Sequence, residues 1–206
     1  EKFKGLKVIL GSNSPRRKQL FSELGIDFEV IVKDVDENVG MAMRPEDLVM
    51  FLARKKGMAF KNETKDGAIV ITADTIVALG DQVIGKPSSL EDASEMLKML
   101  SGKKHQVITG VAIMSDKKAE SFFVRTEVCF KSLRPEEIEY YVHQFKPMDK
   151  AGAYGIQEWI GMTGIEYIQG SYYNVMGRYS ISMFGSAGYQ DVFAENYFFN
   201  RATVYG

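Results

Sequence analysis

The sequence predicts a mixed α/β protein built on a long twisted sheet that is flanked by helices. Runs rich in β-branched residues alternate irregularly with segments that carry helix start and stop signals, which is typical of layered α/β folds. Two strand-like runs, 105–114 and 120–130, are separated by the polar turn SDKKAE, so they are expected to pair antiparallel. The 206 residues suffice for one large domain or two small lobes with a sizeable core.

The amino-terminal part of the chain is predicted to form two strands joined by a helix. The apolar run LKVIL at 6–10 is typical of a buried strand, and FEVIV at 28–32 is the second strand. Ser14 followed by Pro15 predicts the helix start between them, because serine caps the first turn and proline fits its first position. Gly25 is expected to end that helix.

Three further helices and a long strand follow. Pro45, with two acidic residues directly after it, predicts a helix that runs to about Phe60. The run AIVITADTIVAL at 68–79 is rich in β-branched residues and predicts the long strand. Helices are also expected at 88–100, which begins with a serine cap, and at 135–145, which begins with proline.

The bulk composition argues against several classes of protein. A formal net charge of −1 does not favour nucleic acid or a membrane surface as a partner, and no apolar run reaches the roughly 18 residues that span a bilayer. The apolar stretch near the first residue is too short and too poorly flanked for a signal peptide. Cys129 is the single cysteine and there are two histidines. We therefore expect a reducing, cytoplasmic compartment and no zinc site.

Two arginines lie where the first helix should be apolar or acidic. At about 100° per residue, Arg17 falls inside the apolar arc of Leu20, Phe21 and Leu24, and Arg16 lies at its edge. A buried arginine is costly unless it is paired, although its stem can pack while its head reaches water. Because the strand-to-helix turn also exposes free backbone N–H groups, the pair favours an anion site just beyond the helix start.

Charged residues also interrupt the second helix and the long strand. Lys56 lies among the apolar positions of its helix, where it either extends to water or faces a ligand. Asp74 lies in a run that should be buried, so it needs a cation, a metal or several donors, unless it caps a bend. A hairpin after this strand would bring Lys86 back toward Asp74. Glu37, taken alone, is expected to be a solvated loop acid.

The segment MDKAGAYGIQEW at 148–159 is dense in glycine and holds Lys150 and Gln157 close together. It is either an irregular surface loop or a binding segment, and its composition within an otherwise regular chain favours binding. With the cations described above it predicts a polyanion site, in which Glu37 and Asp74 could hold a divalent metal. Several cations with two carboxylates are typical of phosphoryl or nucleotidyl chemistry.

Ordered motifs between about residues 6 and 177 carry a resemblance to a known family: LGSNSPRR (10–17), Leu52-Ala53 with Lys56, ITADTIVALGDQVIGKP (71–87), MLKMLSGKKHQVITGVAI (96–113), DKAGAYGIQ (149–157) and GSYYNVMG (170–177). They resemble the motifs of the Maf family of nucleoside triphosphate pyrophosphatases. The resemblance implies an elongated α/β fold with two lobes around a central cleft, similar to the inosine triphosphate pyrophosphatases, in a single domain over 1–206.

The resemblance also implies a reaction and the residues that perform it. It implies hydrolysis of a nucleoside triphosphate to the monophosphate and pyrophosphate, assisted by Mg²⁺ or Mn²⁺. Asp74 matches the family's proton acceptor, and Glu37 and Lys86 match its other catalytic positions. Ser12 and Lys56 match residues that hold the phosphates.

Three positions indicate the substrate type within the family. Arg16, Thr75 and Gln157 agree with the pattern of the subfamily that favours dTTP and UTP, whereas the subfamily acting on 7-methylguanosine triphosphate carries Trp and Ser-Asp-Gln in the first two motifs. We expect Arg17 and Lys150 to add positive charge for the phosphates.

The segment 178–206 departs from the family pattern, because Arg178-Tyr179 replaces Leu-Pro and the aromatic tail has no clean helical period. The resemblance implies a homodimer. Two other functions stay open: a house-cleaning pyrophosphatase for deaminated purines such as ITP, and a nucleotide-binding regulator of septum formation and cell division.

Overall fold

The computed structural model describes residues 6–25 and 27–177, and the aromatic segment 178–206 lies outside that description. The strands are β1 (Val8–Leu10), β2 (Glu29–Val30), β3 (Ile69–Leu79), β4 (Gln82–Ile84), β5 (Lys104–Met114), β6 (Ala119–Phe130) and β7 (Ile165–Gln169). They form one sheet in the order β2-β1-β3-β5-β6-β7, and β4 also pairs with β3. Strand β1 is parallel to β2 and β3, whereas the other pairs are antiparallel. The predicted mixed α/β class is confirmed.

The helices are α1 (Pro15–Glu23), α2 (Pro45–Met58), α3 (Lys61–Lys65), α4 (Leu90–Leu100), α5 (Pro135–Phe145), α6 (Trp159–Gly164) and α7 (Tyr172–Val175), with a 3₁₀ turn at Ala151–Ala153. The four long helices begin and end within two residues of their predicted bounds. Ser14 caps α1 as expected, since its Oγ accepts from the backbone N–H of Arg17 at 3.4 Å. No helix in the described part of the chain is long and apolar enough to cross a membrane.

One predicted strand is much shorter in the structure. The run 28–32 contributes only Glu29–Val30 to β2, and both residues are exposed at the edge of the sheet. The physical reason is the length of the neighbouring strand, because β1 ends at Leu10, whose backbone oxygen accepts from the N–H of Ile31 as the last bond between the two segments. The antiparallel pairing of β5 with β6 and the hairpin of β3 with β4 were both predicted and are confirmed.

The sheet has a gap along one side of β3. Strand β1 pairs with β3 only as far as Ile71, and β4 begins to pair at Val77. Between these points, residues 72–76 have a neighbouring strand only on the β5 side. Backbone groups of this open stretch, and side chains from both faces of the strand, can therefore border a single cleft.

The hydrophobic core is divided into two large clusters at opposite ends of β3 and β5. Helix α1 packs through Leu20 and Phe21 against β1 and the first half of β3. Helices α4 and α5 pack through residues such as Leu97 and Tyr141 against the other end of the sheet. Helix α2 covers the opposite face, where Val49 contacts β3 and β5. The predicted division into two lobes stays a prediction.

Helix α2 lies unusually close to the sheet at Gly110 of β5. A Cβ added at this glycine would lie 2.3 Å from the backbone oxygen of Val49. The hydroxyl of Thr72 donates to the backbone oxygen of Ala53 at 2.7 Å, which ties the helix to β3 as well. The height of α2 above the sheet is thus set by one glycine and one side-chain hydrogen bond.

A histidine is buried in the cluster formed by α4, α5 and the sheet. His105 is 1% exposed, and its Nε2 lies 2.7 Å from the hydroxyl of Tyr154. Its ring also packs edge-on against Phe130 and Tyr154. Burial lowers the pKa of His105 from 6.5 to about 4, so the imidazole is neutral in the folded protein at neutral pH.

Replacing the glycine beneath α2 should destabilise the fold. We expect Gly110→Ala to lower the free energy of unfolding by about 1–3 kcal/mol, because the added methyl forces α2 away from β5. Denaturant unfolding measures the change. Gly40→Ala is the matched control, since a Cβ at Gly40 meets nothing within 4 Å, and a loss of equal size there would contradict the close-packing explanation.

The buried histidine should make stability depend on pH. Because the pKa of His105 is about 4 in the folded state against 6.5 ordinarily, the unfolded chain binds more protons between these values. The free energy of unfolding should therefore fall as pH is lowered from 6.5 toward 4, by up to about 3 kcal/mol from this residue. Denaturant unfolding of the wild type and His105→Gln across this range isolates the effect. Parallel pH profiles for the two proteins would rule it out.

Candidate active site

A cleft of about 1330 Å³ opens at the gap in the sheet. Its walls come from the turn before α1, the loop after β2, helix α2, the open stretch of β3, the end of β4 and the glycine-rich segment. Every site residue predicted from the sequence lines it: Ser12, Arg16, Arg17, Glu37, Lys56, Asp74, Thr75, Lys86, Lys150 and Gln157. The structure thus brings together residues from six separate segments of the chain, while the roles expected for them stay predictions.

Arg17 joins the start of α1 to the open stretch of β3. Its Nη1 donates to the backbone oxygen of Ala73 at 2.9 Å and to Ser12 Oγ at 3.2 Å, and its Nη2 donates to Thr75 Oγ1 at 3.1 Å. The carbonyl of Ala73 faces the side of β3 that lacks a neighbouring strand, so Arg17 satisfies an acceptor that the gap leaves open. In this structure the guanidinium therefore bonds one backbone oxygen and two hydroxyl groups of the protein itself, and the anion site that the sequence suggested stays a prediction.

Thr75 takes part in the same network. Its hydroxyl accepts from Arg17 and lies 2.9 Å from the hydroxyl of Thr109, its cross-strand partner on β5. Thr109 is fully buried. Sequence reasoning missed Thr109, because its place opposite Thr75 depends on the β3–β5 register. Thr75 is consequently held in one orientation at the wall of the cleft.

Lys56 lies between two carboxylates on the α2 face of the sheet. Its Nζ is 2.6 Å from Asp74 Oδ1 and 3.0 Å from Glu37 Oε1. The side chains of Lys56 and Asp74 are 20% and 15% exposed, whereas that of Glu37 is 57% exposed. Asp74 alternates with Thr75 along β3, so the two side chains point to opposite faces of the sheet and still border one cleft.

The donor set around Lys56 fits a divalent cation that shares its ligands with a substrate. Two carboxylates, from Glu37 and Asp74, both reach the position of one ammonium group. Mg²⁺ is commonly held by one or two carboxylates together with substrate phosphates. Among the described residues there is no cluster of three or more His, Cys, Asp or Glu side chains that could hold a metal alone. A metal at this position would therefore need ligands beyond Glu37 and Asp74, and the metal itself stays a prediction.

Arg16 and Lys150 share one acid on the far side of the cleft. Arg16 Nη1 lies 3.0 Å from Asp149 Oδ2, and Lys150 Nζ lies 2.7 Å from Asp149 Oδ1. Partial burial would raise the pKa of Asp149, but the hydrogen bonds from Lys150 and Arg16 outweigh it and lower the pKa below its ordinary value. Asp149 thus spans the helix start and the glycine-rich segment as a carboxylate.

Two predicted residues stand at the rim of the cleft. Lys86 and Gln157 are exposed. The hairpin places Lys86 just after β4, and its approach to Asp74 stays a prediction. No ion-pair partner for Lys86 occurs within 6–25 and 27–177, which leaves its ammonium available to a ligand in this part of the chain. The rim thus combines an accessible cation with an accessible amide.

The cleft also has a wall that sequence reasoning missed. Part of it is apolar, with Val32, Val35, Met41 and Leu52 among the lining residues. Lys33 also lines the cleft, and its Nζ pairs with Glu63 Oε1 at 2.6 Å. The apolar residues after β2 carried no recognisable signal, because short runs of Val and Met in a loop do not differ from ordinary packing residues. One side of the cleft is thus suited to a less polar part of a ligand.

The chain was compared with protein families, with curated proteins and with solved structures. The chain matches the family described as Maf-like protein over residues 7–179. A protein of Parabacteroides distasonis named dTTP/UTP pyrophosphatase is 51% identical over 178 residues, which cover 86% of this chain and 92% of that protein. A Bacteroides thetaiotaomicron protein of the same name is 48% identical over 172 residues, covering 83% and 89% respectively. Among solved structures, the Staphylococcus aureus Ham1 protein matches with a TM-score of 0.43 and 16% identity over 60% of this chain and 71% of that chain.

Proposed function

The chain belongs to the Maf family, and from that premise we propose that it hydrolyses dTTP and UTP to the nucleoside monophosphate and pyrophosphate. Relatives that cover 86% of the chain at about half identity carry the name dTTP/UTP pyrophosphatase, which supports this substrate class. The observation that carries the proposal is the position of Asp74. It is a carboxylate on the open stretch of β3, beside Lys56 and Glu37, in a cleft lined by further cations.

In the proposed reaction, a water molecule attacks the α-phosphorus of the nucleotide. An oxygen–phosphorus bond forms, the bond from the α-phosphorus to the bridging oxygen of the β-phosphate breaks, and pyrophosphate leaves with that oxygen. Asp74 accepts the proton that the water releases. Lys86, at the rim, offsets the negative charge that grows on the leaving oxygen.

The other cations bind and orient the triphosphate. Lys56 and Ser12 hold phosphate oxygens, and Arg16 and Lys150 approach from the opposite wall, where Asp149 now holds them. Arg17 supports this arrangement by fixing Ser12 and Thr75. Gln157, at the rim, and Thr75 recognise the nucleotide base. The apolar wall excludes water from the space around that base.

The proposal includes a divalent metal ion as a cofactor. Glu37 and Asp74 would hold Mg²⁺ or Mn²⁺ through carboxylate oxygens. When bound, such an ion supplies Lewis-acid polarisation of the phosphates and a lower pKa for a water molecule. With these carboxylates engaged by an ion, the ammonium of Lys56 would be available to a phosphate oxygen.

A homodimer in the cytoplasm is also part of the proposal. The homodimer follows from the family resemblance, and the reducing compartment follows from the single cysteine. Light scattering of the purified chain would measure the oligomeric state directly.

The reaction is tested by a panel of nucleoside triphosphates. We expect the purified protein to release pyrophosphate from dTTP and UTP faster than from CTP, ATP, GTP and ITP in the presence of Mg²⁺ or Mn²⁺. Addition of EDTA should abolish the release. Faster turnover of ITP than of dTTP would favour the house-cleaning alternative, and release of inorganic phosphate alone would reject the proposed bond cleavage.

The role of Asp74 is tested by substitution. Asp74→Asn should lower kcat by about 10²–10⁴-fold, because the amide cannot accept the proton, while dTTP still binds. Asp116→Asn, in the exposed β5–β6 turn, is the matched control and should behave as the wild type. Turnover of Asp74→Asn close to the wild-type rate would remove Asp74 from its proposed role.

A further inference from the structure

An acid and a tyrosine lie directly behind Lys150, outside the residues that the sequence predicted. Lys150 Nζ pairs with Glu158 Oε1 at 3.0 Å. The other carboxylate oxygen, Glu158 Oε2, accepts a short hydrogen bond from the hydroxyl of Tyr141. These contacts link α5, the glycine-rich segment and the cleft wall through side chains alone.

Tyr141 anchors this pair in the core. It is completely buried between α5 and the sheet, and its hydroxyl accepts from the backbone N–H of Gly155 at 3.0 Å. Burial and the neighbouring carboxylate of Glu158 raise the pKa of Tyr141, so the phenol stays protonated. It therefore donates to Glu158 while it accepts from Gly155, and neither bond can reverse its direction.

Gly155 keeps the three groups in close contact. A Cβ added there would lie 2.8 Å from Glu158 Cδ and 3.0 Å from Lys150 Cε. The absence of a side chain lets the lysine stem and the glutamate occupy the space that a Cβ would fill. The side chain of Lys150 is consequently 11% exposed, although its ammonium belongs to the wall of the cleft.

The second partner of Lys150 cannot hold it in the same way. Asp149 is 61% exposed and is shared with Arg16. The glutamate, by contrast, is 19% exposed and is itself fixed by the buried tyrosine. Glu158 is therefore the stronger constraint on where the lysine ammonium lies.

We propose that Glu158 and Tyr141 are positioning residues that hold the Lys150 ammonium against the cleft and so set the affinity for a triphosphate ligand. The nature of that ligand rests on the function proposed above, whereas the positioning of Lys150 does not. Neither residue touches the ligand. Each acts through the lysine.

The positioning is tested without turnover by the chemical reactivity of Lys150. The protein is treated with limiting acetic anhydride, and acetylation at each lysine is followed by mass spectrometry. In Glu158→Gln, Lys150 should be acetylated several-fold faster than in the wild type, because its amine has lost one of its two carboxylate partners. Glu139→Gln, on the exposed face of α5, is the matched control and should leave Lys150 unchanged. Equal Lys150 reactivity in Glu158→Gln and the wild type would overturn the proposal.

The effect on the ligand is tested by kinetics and a double-mutant cycle. Glu158→Gln should raise KM for dTTP by about 5–30-fold with a smaller change in kcat, since a displaced lysine weakens ground-state binding. Glu158→Asp, which keeps the charge, should recover part of the loss. The double variant Glu158→Gln/Lys150→Met should be no worse than Lys150→Met alone, and fully additive losses would contradict action through Lys150.

A second variant covers the case in which Glu158→Gln does not fold. Tyr141→Phe removes only a hydroxyl, and it should raise both Lys150 reactivity and KM in the same direction, whereas no change in either would count against the proposal. Should the wild type hydrolyse no nucleoside triphosphate, the proposed function fails while the acetylation experiment still decides the positioning.

Discussion

The gap on one side of β3 is the constraint on which the rest of the site depends. The pairing of β1 with β3 stops at Ile71 of β3, and the pairing of β4 with β3 begins at Val77, so the stretch of β3 between them has a neighbouring strand on one side only. Such a gap leaves backbone acceptors without strand partners, and Arg17 satisfies one of them. It also lets Asp74 and Thr75, which point to opposite faces, border the same space. A continuous sheet would have separated them into two unconnected environments.

The helices around this gap serve mainly to set distances. Helix α2 rests on Gly110 without an intervening side chain, and that height places Lys56 within reach of Asp74. Helix α1 begins directly after β1, so its first turn brings Arg17 to the open backbone. Helix α5 contributes the buried Tyr141, whose hydroxyl is connected to the cleft through Glu158 and the backbone N–H of Gly155. The charged groups of the cleft are thus positioned by contacts that lie in the hydrophobic core.

The sequence predicted those features that depend on residues close together in the chain. Serine and proline at helix starts, and long β-branched runs, are local signals, and the corresponding elements agree with the structure within two residues. Arg17 and Asp74 were found because they contradict their surroundings. Thr109, Tyr141 and Glu158 were not found, because each resembles an ordinary strand, core or surface residue until register and packing define its partners. The short β2 was overestimated, since its length depends on where β1 ends and not on its own composition.

The cations of the cleft are accompanied by their own counter-ions, which has a consequence for selectivity. Arg16, Lys56 and Lys150 each already hold a carboxylate. An incoming anion must compete with these resident carboxylates and not merely with water. A monovalent anion forms one ion pair with a cation of the cleft and breaks one resident carboxylate pair, so the net gain in free energy is small. A ligand with several adjacent charges replaces several pairs at once without an additional loss of translational freedom. We therefore expect the cleft to favour ligands of high charge density, whichever base they carry.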